Sequence, residues 1–432
     1  MEFLELTEKE FTSFANNHPY GSFHQNVSWG ELKSGTGWIT HLVGVKDNGK
    51  VVAATLLLSK MTPIKKNMFY SPRGFLIDYK DKELLKFFIT NLKTYAKKHN
   101  AIFIKFDPYV ELQERDIKGD IVEGGFDNHY VVDNLKSLGC KYHGETIMME
   151  DMQPRWIFTL NTKGKTEEDI FKDMDPKTRQ ILRKNEKMGV KVRELKEDEM
   201  EIFHEIMNDT SSRREFQDRP LSYYKKMYHE YKKKDEAMIL VAEFNHDDYI
   251  KTLKQDLQKE EDFLSNLKKE QNDSSKNQDK LNKKIKQSED NIERFKKNIN
   301  EMEESKKENG NLIELGAILF FKTNDEVLSL VGGSFGKFMK FQSAYTTHYA
   351  GVKYAFEHNM RRYNFYGITG DFNEETNPFY GLYSFKRDFG GQVVELVGEF
   401  DLIISNFWFG VYKFAFKTYH KLKHLKNKVS TK

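Results

Sequence analysis

The chain holds a single cysteine, Cys140. That excludes an intrachain disulfide framework and a multi-cysteine zinc site, and no adjoining motif makes this thiol a nucleophile, so a reducing cytoplasm is expected. Long apolar runs are lacking as well. The longest, Leu402 to Phe416, contains Ser405, Asn406 and Lys413 and falls short of the roughly 20 residues that a membrane-spanning helix needs. The opening MEFLELTEKEF is acidic with apolar residues at helical spacing, so no export signal is expected. A large charge excess is missing: a formal +3 does not announce a nucleic-acid binder, and any basic face has to be local. None of the 13 histidines stands in an H-x-x-x-H or H-E-x-x-H spacing backed by cysteines or paired carboxylates, and neither a P-loop nor a G-x-S-x-G elbow occurs. Neither metal nor cofactor is expected.

What is present begins with length. At 432 residues the chain exceeds what one core usually serves, so two domains are expected. From Ile250 to Glu308 there is neither Gly nor Pro, and apolar residues keep heptad spacing: Ile250, Leu253, Leu257, Leu264 and Leu267, then Leu281, Ile285, Ile292, Phe295, Ile299 and Met302. The polar cluster QNDSSKNQD separates the two halves, which predicts an antiparallel helical hairpin of roughly 20 and 30 residues. Strand patterns flank it, EAMILVAEF before, LIELGAILFF and EVLSLVGG after, so the arm interrupts neighbouring strands of one sheet.

The body repeats. NMFYSPRGFLID, a helix over Lys82 to Lys98 and AIFIKFDPY have a counterpart in EVLSLVGGSFGKF, a helix over Gln342 to His358 and RRYNFYGITGD. A strand entering a Gly-containing loop, then a helix, then a strand is the order of acetyltransferase-like folds. The expected fold class is therefore α/β (α+β), two acetyltransferase-like (GNAT-like) subdomains with an inserted coiled-coil arm. Its divisions are 1–153 for the first subdomain, 154–249 with 309–394 for the second, and 250–308 for the arm. A basic aromatic helix over 395–432 returns to the first subdomain or lies on a membrane surface. No coenzyme A pyrophosphate loop occurs; the nearest stretch, RDFGGQ, ends in Gln392.

Three stretches combine charge with unusual context. Lys177, Arg179, Arg183, Lys184, Lys187, Lys191, Arg193 and Lys196 fall within twenty residues, most of them on a helix started by Asp175 and Pro176, a stripe suited to phosphates or simply to solvent. After Asp401 no acidic residue follows, while seven lysines from Lys413 to Lys432 alternate with rings from Phe407 to Tyr419; such a helix suits an anionic membrane surface or the protein's own body. Finally GLYSFKRDFGG sets Lys386 behind Phe385 among aromatics and glycines, where the ordinary reading is a surface lysine on a turn.

The segments FHQNVSWGELK, THLVGVKDNGKVVAATLLLSK, FYSPRGFLIDY, FDPY, QPRW, NEKMGVKVREL, RYNFYGITGDF, FKRDFG and ELVGEFD, in this order and with a heptad arm in the same place, resemble the FemABX peptidoglycan-bridge aminoacyltransferases. The likeness runs from about residue 2 to 420 and is closest to the branch that carries an arm. The resemblance implies a cytoplasmic enzyme, peripheral to the inner face of the membrane if its tail binds there. It would take Gly, Ala or Ser from aminoacyl-tRNA and join it to a stem-peptide or bridge amine of a peptidoglycan precursor, lipid II or a UDP-linked muropeptide. Homo-oligomers stay open. An aminoacyl ester is already activated, which fits the missing base constellation and the missing coenzyme A loop.

By the same resemblance, Phe385 and Lys386 stand where the family has a Phe-Lys pair that meets the tRNA acceptor end and the charge of the tetrahedral intermediate. Lys33 and Arg219 match positions linked to anionic substrate groups, and Arg213 matches an arginine of several members. Trp38, Arg73 and Tyr366 complete the expected substrate contacts; Asp107 of FDPY is the candidate base, or else a turn-maker before Pro. Arg179, Arg183, Lys184 and Lys187 are the expected tRNA contacts. Ser329 and Leu330 depart from the Tyr-Tyr often found before the Gly-Gly pair. Two other functions stay open from the residues: a coenzyme A-dependent N-acyltransferase, and a non-catalytic module that binds tRNA or a partner through the arm.

Overall fold

A computed structural model describes residues 1–148, 152–271 and 277–416. The first part gives β1 (Glu2–Glu5), α1 (Glu8–Asn17), α2 (Val27–Ser34), β2 (Ile39–Asp47), β3 (Lys50–Met61), β4 (Asn67–Ser71), α3 (Lys82–Lys98), β5 (Ala101–Phe106), β6 (Glu111–Glu114), α4 (His129–Ser137) and β7 (Cys140–Tyr142). Next come β8 (Trp156–Asn161), α5 (Glu167–Asp173), α6 (Pro176–Lys187), β9 (Lys191–Glu194), α7 (Met200–Arg214), α8 (Leu221–Lys232) and β10 (Ala237–Asn245). The arm is α9 (His246–Glu270) and α10 (Gln278–Asn309). Then follow β11 (Leu312–Lys322), β12 (Glu326–Ser334), α11 (Ser343–Glu357), β13 (Arg362–Ile368), α12 (Tyr380–Arg387), β14 (Gln392–Leu396) and β15 (Phe400–Ile403), with a helix over 406–416.

The strands form two sheets, ordered β1-β2-β3-β4-β5-β15-β7 and β6-β14-β8-β13-β12-β11-β10-β9. Each contains one parallel pair, β4 with β5 and β12 with β13, and the connection of each pair carries a helix, α3 or α11. The repeat read from the sequence is thus one β–α–β unit per sheet. The glycines of the second unit are a correction: Gly332 and Gly333 lie inside β12, opposite Ile318 and Ala317, and not in a loop. A Cβ at Gly333 would stand 2.2 Å from the Thr210 hydroxyl, so the glycine serves the close approach of α7 to the sheet.

The two halves trade strands. β6, from the segment expected in the first subdomain, pairs with β14 in the second sheet, and β15 returns to pair with β5 and β7 in the first. The expected division at 153 and the expected helix from 395 are therefore corrected to interleaved segments: β6 adds an edge to the second sheet, and β15 fills the place between β5 and β7 in the first. Residues 417–432 of the basic tail lie outside the described residues. One apolar core joins the halves: Phe23 stacks on Phe321 with ring centroids 4.4 Å apart, and the Tyr231 hydroxyl donates to the Phe23 carbonyl at 2.9 Å.

The arm is a hairpin inserted between the antiparallel neighbours β10 and β11. Ile250, Leu253, Leu267, Leu281, Ile285, Ile299 and Met302 are buried along its seam. Ion pairs Lys254–Glu303, Lys296–Glu261 and Lys268–Glu289 step up one helix as they step down the other, which fixes the antiparallel register. The 32 residues of α10 reach about 48 Å.

Candidate active site

Lys386 is the departure from the ordinary reading of its sequence. It lies on α12, not on a surface turn, and is 5% exposed. Tyr383, one turn earlier on the same buried face, donates from its hydroxyl to the Ile117 carbonyl at 2.8 Å and seats the helix. The Lys386 ammonium donates to the Gly367 carbonyl at 2.6 Å, and among the described residues no carboxylate pairs with it. Burial alone brings the amine down to about 7. The buried His348 is pushed to about 3, first by burial and then by Lys386. Phe385 packs edge-on to Tyr345 at 4.8 Å and His348 at 5.3 Å, so α11 supplies the wall on this side.

The carbonyl that holds Lys386 is presented by an irregularity. The register of β13 against β8 shifts between Asn364 and Gly367, and Tyr366 has φ +65°, a conformation that side chains rarely adopt. The Asn364 side chain stabilises this bend by accepting from the Tyr366 amide at 2.7 Å. The Tyr366 hydroxyl donates to Gln153 and meets the Arg73 guanidinium; burial first, then Arg73 and Asp107 acting oppositely, leave it at about 12.

Asp107 and Arg73 follow β5 and β4, at the end where the parallel pair finishes. Asp107 is buried and accepts from the Arg73 amide at 2.7 Å and the Tyr70 hydroxyl at 3.1 Å. Burial lifts its carboxyl to about 7 although Arg73 opposes the rise. Arg73, also buried, donates to the Pro154 carbonyl at 2.8 Å. Tyr366 therefore touches the Asp107 cluster with its side chain, and its neighbour Gly367 holds Lys386. The fold brings Tyr366, Arg73 and Asp107 together from the two sheets, and Lys386 is joined to them through the carbonyl of Gly367, the next residue along β13.

Sequence reasoning missed the residues that fix this junction. The Tyr109 hydroxyl donates to Glu326 at 2.9 Å and accepts from Asn364 at 2.8 Å; Arg362 bonds Glu326 and, at 2.8 Å, Glu111. Such long-range polar contacts have no periodicity to betray them; the run RRYNFYG, polar residues inside a strand pattern, was the one available signal.

A second cluster is wholly cationic. The Lys33 ammonium sits 4.3 Å from the Trp29 ring centroid, Lys60 5.4 Å from that of Trp38, and the Arg219 guanidinium 5.4 Å from that of Tyr223. Burial, Arg219 and Lys60, in that order, bring Lys33 down to about 8. His24 is fully buried between the clusters, its pKa depressed by burial, Arg73 and Lys33. Lys60 is at the far end of β3, beside the start of β4, so the length of β4 separates the cations from Arg73, about 17 Å for five residues. Arg213 does not join them: its guanidinium is held by Asp209 at 2.8 Å and by the Ser334 carbonyl.

The basic helix α6 begins as expected, Asp175 accepting from the Lys177 amide at 2.8 Å. Arg179 and Arg183 line a groove of about 1120 Å³ between α5, α6 and α11, together with Tyr349, Lys353 and the carboxylates of Glu167, Glu168 and Glu186, Glu167 being paired with Lys353, whereas Lys184 and Lys187 are exposed. Tyr349 is one turn along α11 from Tyr345, which touches Phe385. The Asp175 amide donates to the Asp388 carbonyl at 2.9 Å, tying α6 to the end of α12. The groove thus leads towards Phe385 and Lys386.

The model of the FemAB family matches residues 6–417. Aminoacyltransferase FemA of Staphylococcus aureus, from strain bovine RF122 / ET3-1 and from strain N315, is 35% identical over 434 residues, 99% of this chain and 100% of the relative. The crystal structure of FemX superposes with a TM-score of 0.82 at 26% identity, over 95% of this chain and 99% of that one.

Proposed function

This chain belongs to the FemAB family and is an aminoacyltransferase, and from that premise we propose that it transfers an amino acid from aminoacyl-tRNA to an amine of a peptidoglycan precursor. The observation that carries the reading is the buried Lys386, with no carboxylate partner among the described residues, held by the residue that follows Tyr366, whose side chain meets the pair Arg73 and Asp107, the latter a carboxyl of pKa about 7. The acceptor amine attacks the ester carbonyl carbon, the bond to the ribose oxygen breaks, and the proton lost by the amine is balanced by the one gained by the ribose hydroxyl. Asp107 is suited to relay that proton, its pKa lying near neutrality. Lys386, at about 7, becomes fully charged when an anion approaches and stabilises charge that exists only in the transition state.

The α6–α11 groove, with Arg179 and Arg183, is suited to the acceptor arm of tRNA. Lys33, Lys60 and Arg219 are suited to the pyrophosphate of the precursor, whose stem peptide would span the length of β4 to reach Asp107. The coenzyme A alternative has no pyrophosphate loop to support it. The reading is tested by mass spectrometry of a muropeptide acceptor incubated with the protein and a full pool of charged tRNA. A mass gain of one Gly, Ala or Ser that needs the charged tRNA is expected; turnover of acetyl-coenzyme A without tRNA, or tRNA binding with no adduct on branched or unbranched acceptor, would overturn it.

A further inference from the structure

The helix over 406–416 leaves β15 at the end of the first sheet where β4 and β5 begin and β3 ends. Ser405 caps it, accepting at its hydroxyl from the Trp408 amide. Its inner face is packed: the Phe103 ring lies 5.2 Å from Phe409 and 5.3 Å from Tyr412, and Lys66 stands 5.1 Å from the Trp408 centroid. Its outer face is different. Phe407 and Phe414, seven residues apart on one stripe with Gly410 between them, are 72% and 76% exposed. At the same end of the sheet Ile39 and Met61, the first residue of β2 and the last of β3, are 64% and 69% exposed.

The exposed charge around this apolar stripe has one sign, the nearby Asp401 being buried and paired with Lys105. Lys413 lies beside Lys141, which with burial pushes the Lys413 amine down, and Lys65 and Lys66 stand on the β3–β4 turn. No acidic residue follows Asp401 in the sequence. Exposed rings and aliphatic chains ringed by lysines complement a surface with apolar depth and negative charge. RNA would use the lysines and the rings, yet it gains nothing from Ile39 and Met61, which offer no face for a base to stack on.

We propose that the outer face of helix 406–416 and the adjoining β3–β4 end of the first sheet dock on the surface of an anionic lipid bilayer. Phe407 and Phe414 enter at headgroup depth while Lys413 and Lys141 stay among the phosphates. Lys60 directly precedes Met61, so the cationic cluster opens at the docked end and Asp107 faces away from it. On the transferase reading above, this holds the pyrophosphate of a precursor at the bilayer surface with its peptide directed to the active site.

The test is co-sedimentation of the full chain with vesicles of phosphatidylcholine alone and of phosphatidylcholine and phosphatidylglycerol in equal parts. The wild type is expected on the anionic vesicles only, and the double variant Phe407→Ser, Phe414→Ser should partition at least about tenfold less while its transfer to a lipid-free acceptor is unchanged. Absence of wild-type binding to the anionic vesicles, or undiminished binding of the double variant, overturns the proposal. So does a double variant that keeps vesicle binding and loses tRNA affinity, which would assign the face to RNA. Empty vesicles contain no acceptor, so a failure here leaves the transfer reading standing; loss of transfer with vesicle binding intact would sink that reading alone.

Discussion

Arg362 and Lys386 are two buried cations of the second half, 3% and 5% exposed, and their surroundings are opposite. Arg362 meets Glu326 and Glu111, and Tyr109 closes the network. Burial pulls its pKa down, but Tyr109, Glu326 and Glu111 outweigh it and the net shift is upward. Lys386 has one carbonyl and, among the described residues, no carboxylate, and burial acts on it unopposed. A paired charge in a dry interior ties elements together and is costly to break, whereas an unpaired one lowers stability and is explained by a charge that arrives later. The Arg362 network joins β6, β12 and β13 and holds Asn364, hence the Tyr366 bend; Lys386 uses the carbonyl that this bend presents.

Breaking the paired side should have the largest effect on folding. Glu326→Ala leaves Arg362 and Tyr109 without their shared acceptor and should lower stability by about 3–5 kcal/mol in urea unfolding; a loss below about 1 kcal/mol would remove the network from the structural account. Asp107 sharpens the comparison on the acid side. Its folded pKa is raised from 3.8 to about 7, so the stability cost of its charge is absent below the unfolded value, grows as pH rises between the two, and is full above about 7. Asp107→Asn should lower the single-turnover rate about 10²-fold and abolish the rise in rate as pH increases through about 7.

The smallest effect belongs to the cationic cluster, which is half-exposed and held by rings. Lys33→Ala should raise KM for the precursor about tenfold with little change in kcat. In the wild type KM should rise as pH passes about 8, where Lys33 loses its proton. A fall in kcat with KM constant would move Lys33 out of the binding role.

The contrast also separates what could be read in advance. The heptad arm and α3 over Lys82–Lys98 were legible because repeated spacing and uninterrupted helix formers act locally. Gly332 and Gly333 misled, because glycine usually marks a turn, and here it admits Thr210 of α7 against a strand. Lys386, Asp107, Lys33 and Arg219 were nominated by resemblance, but the burial of Lys386 was hidden, since lysine on a short helix normally faces water. The Tyr109–Glu326–Arg362 network and the crossing of β6 and β15 depend on partners hundreds of residues apart, which no local pattern encodes.

One preparation of Lys386→Met tests the central claim. The folded pKa of Lys386 is lowered from 10.5 to about 7, so its stability cost appears as pH falls below the unfolded value and is full below about 7. At neutral pH the variant should therefore melt about 2–4 °C above wild type, and its single-turnover aminoacyl transfer should fall about 10²–10³-fold. A variant that keeps its transfer rate, or that loses stability as Glu326→Ala does, would contradict the assignment of Lys386 as the charge held in reserve for the reaction.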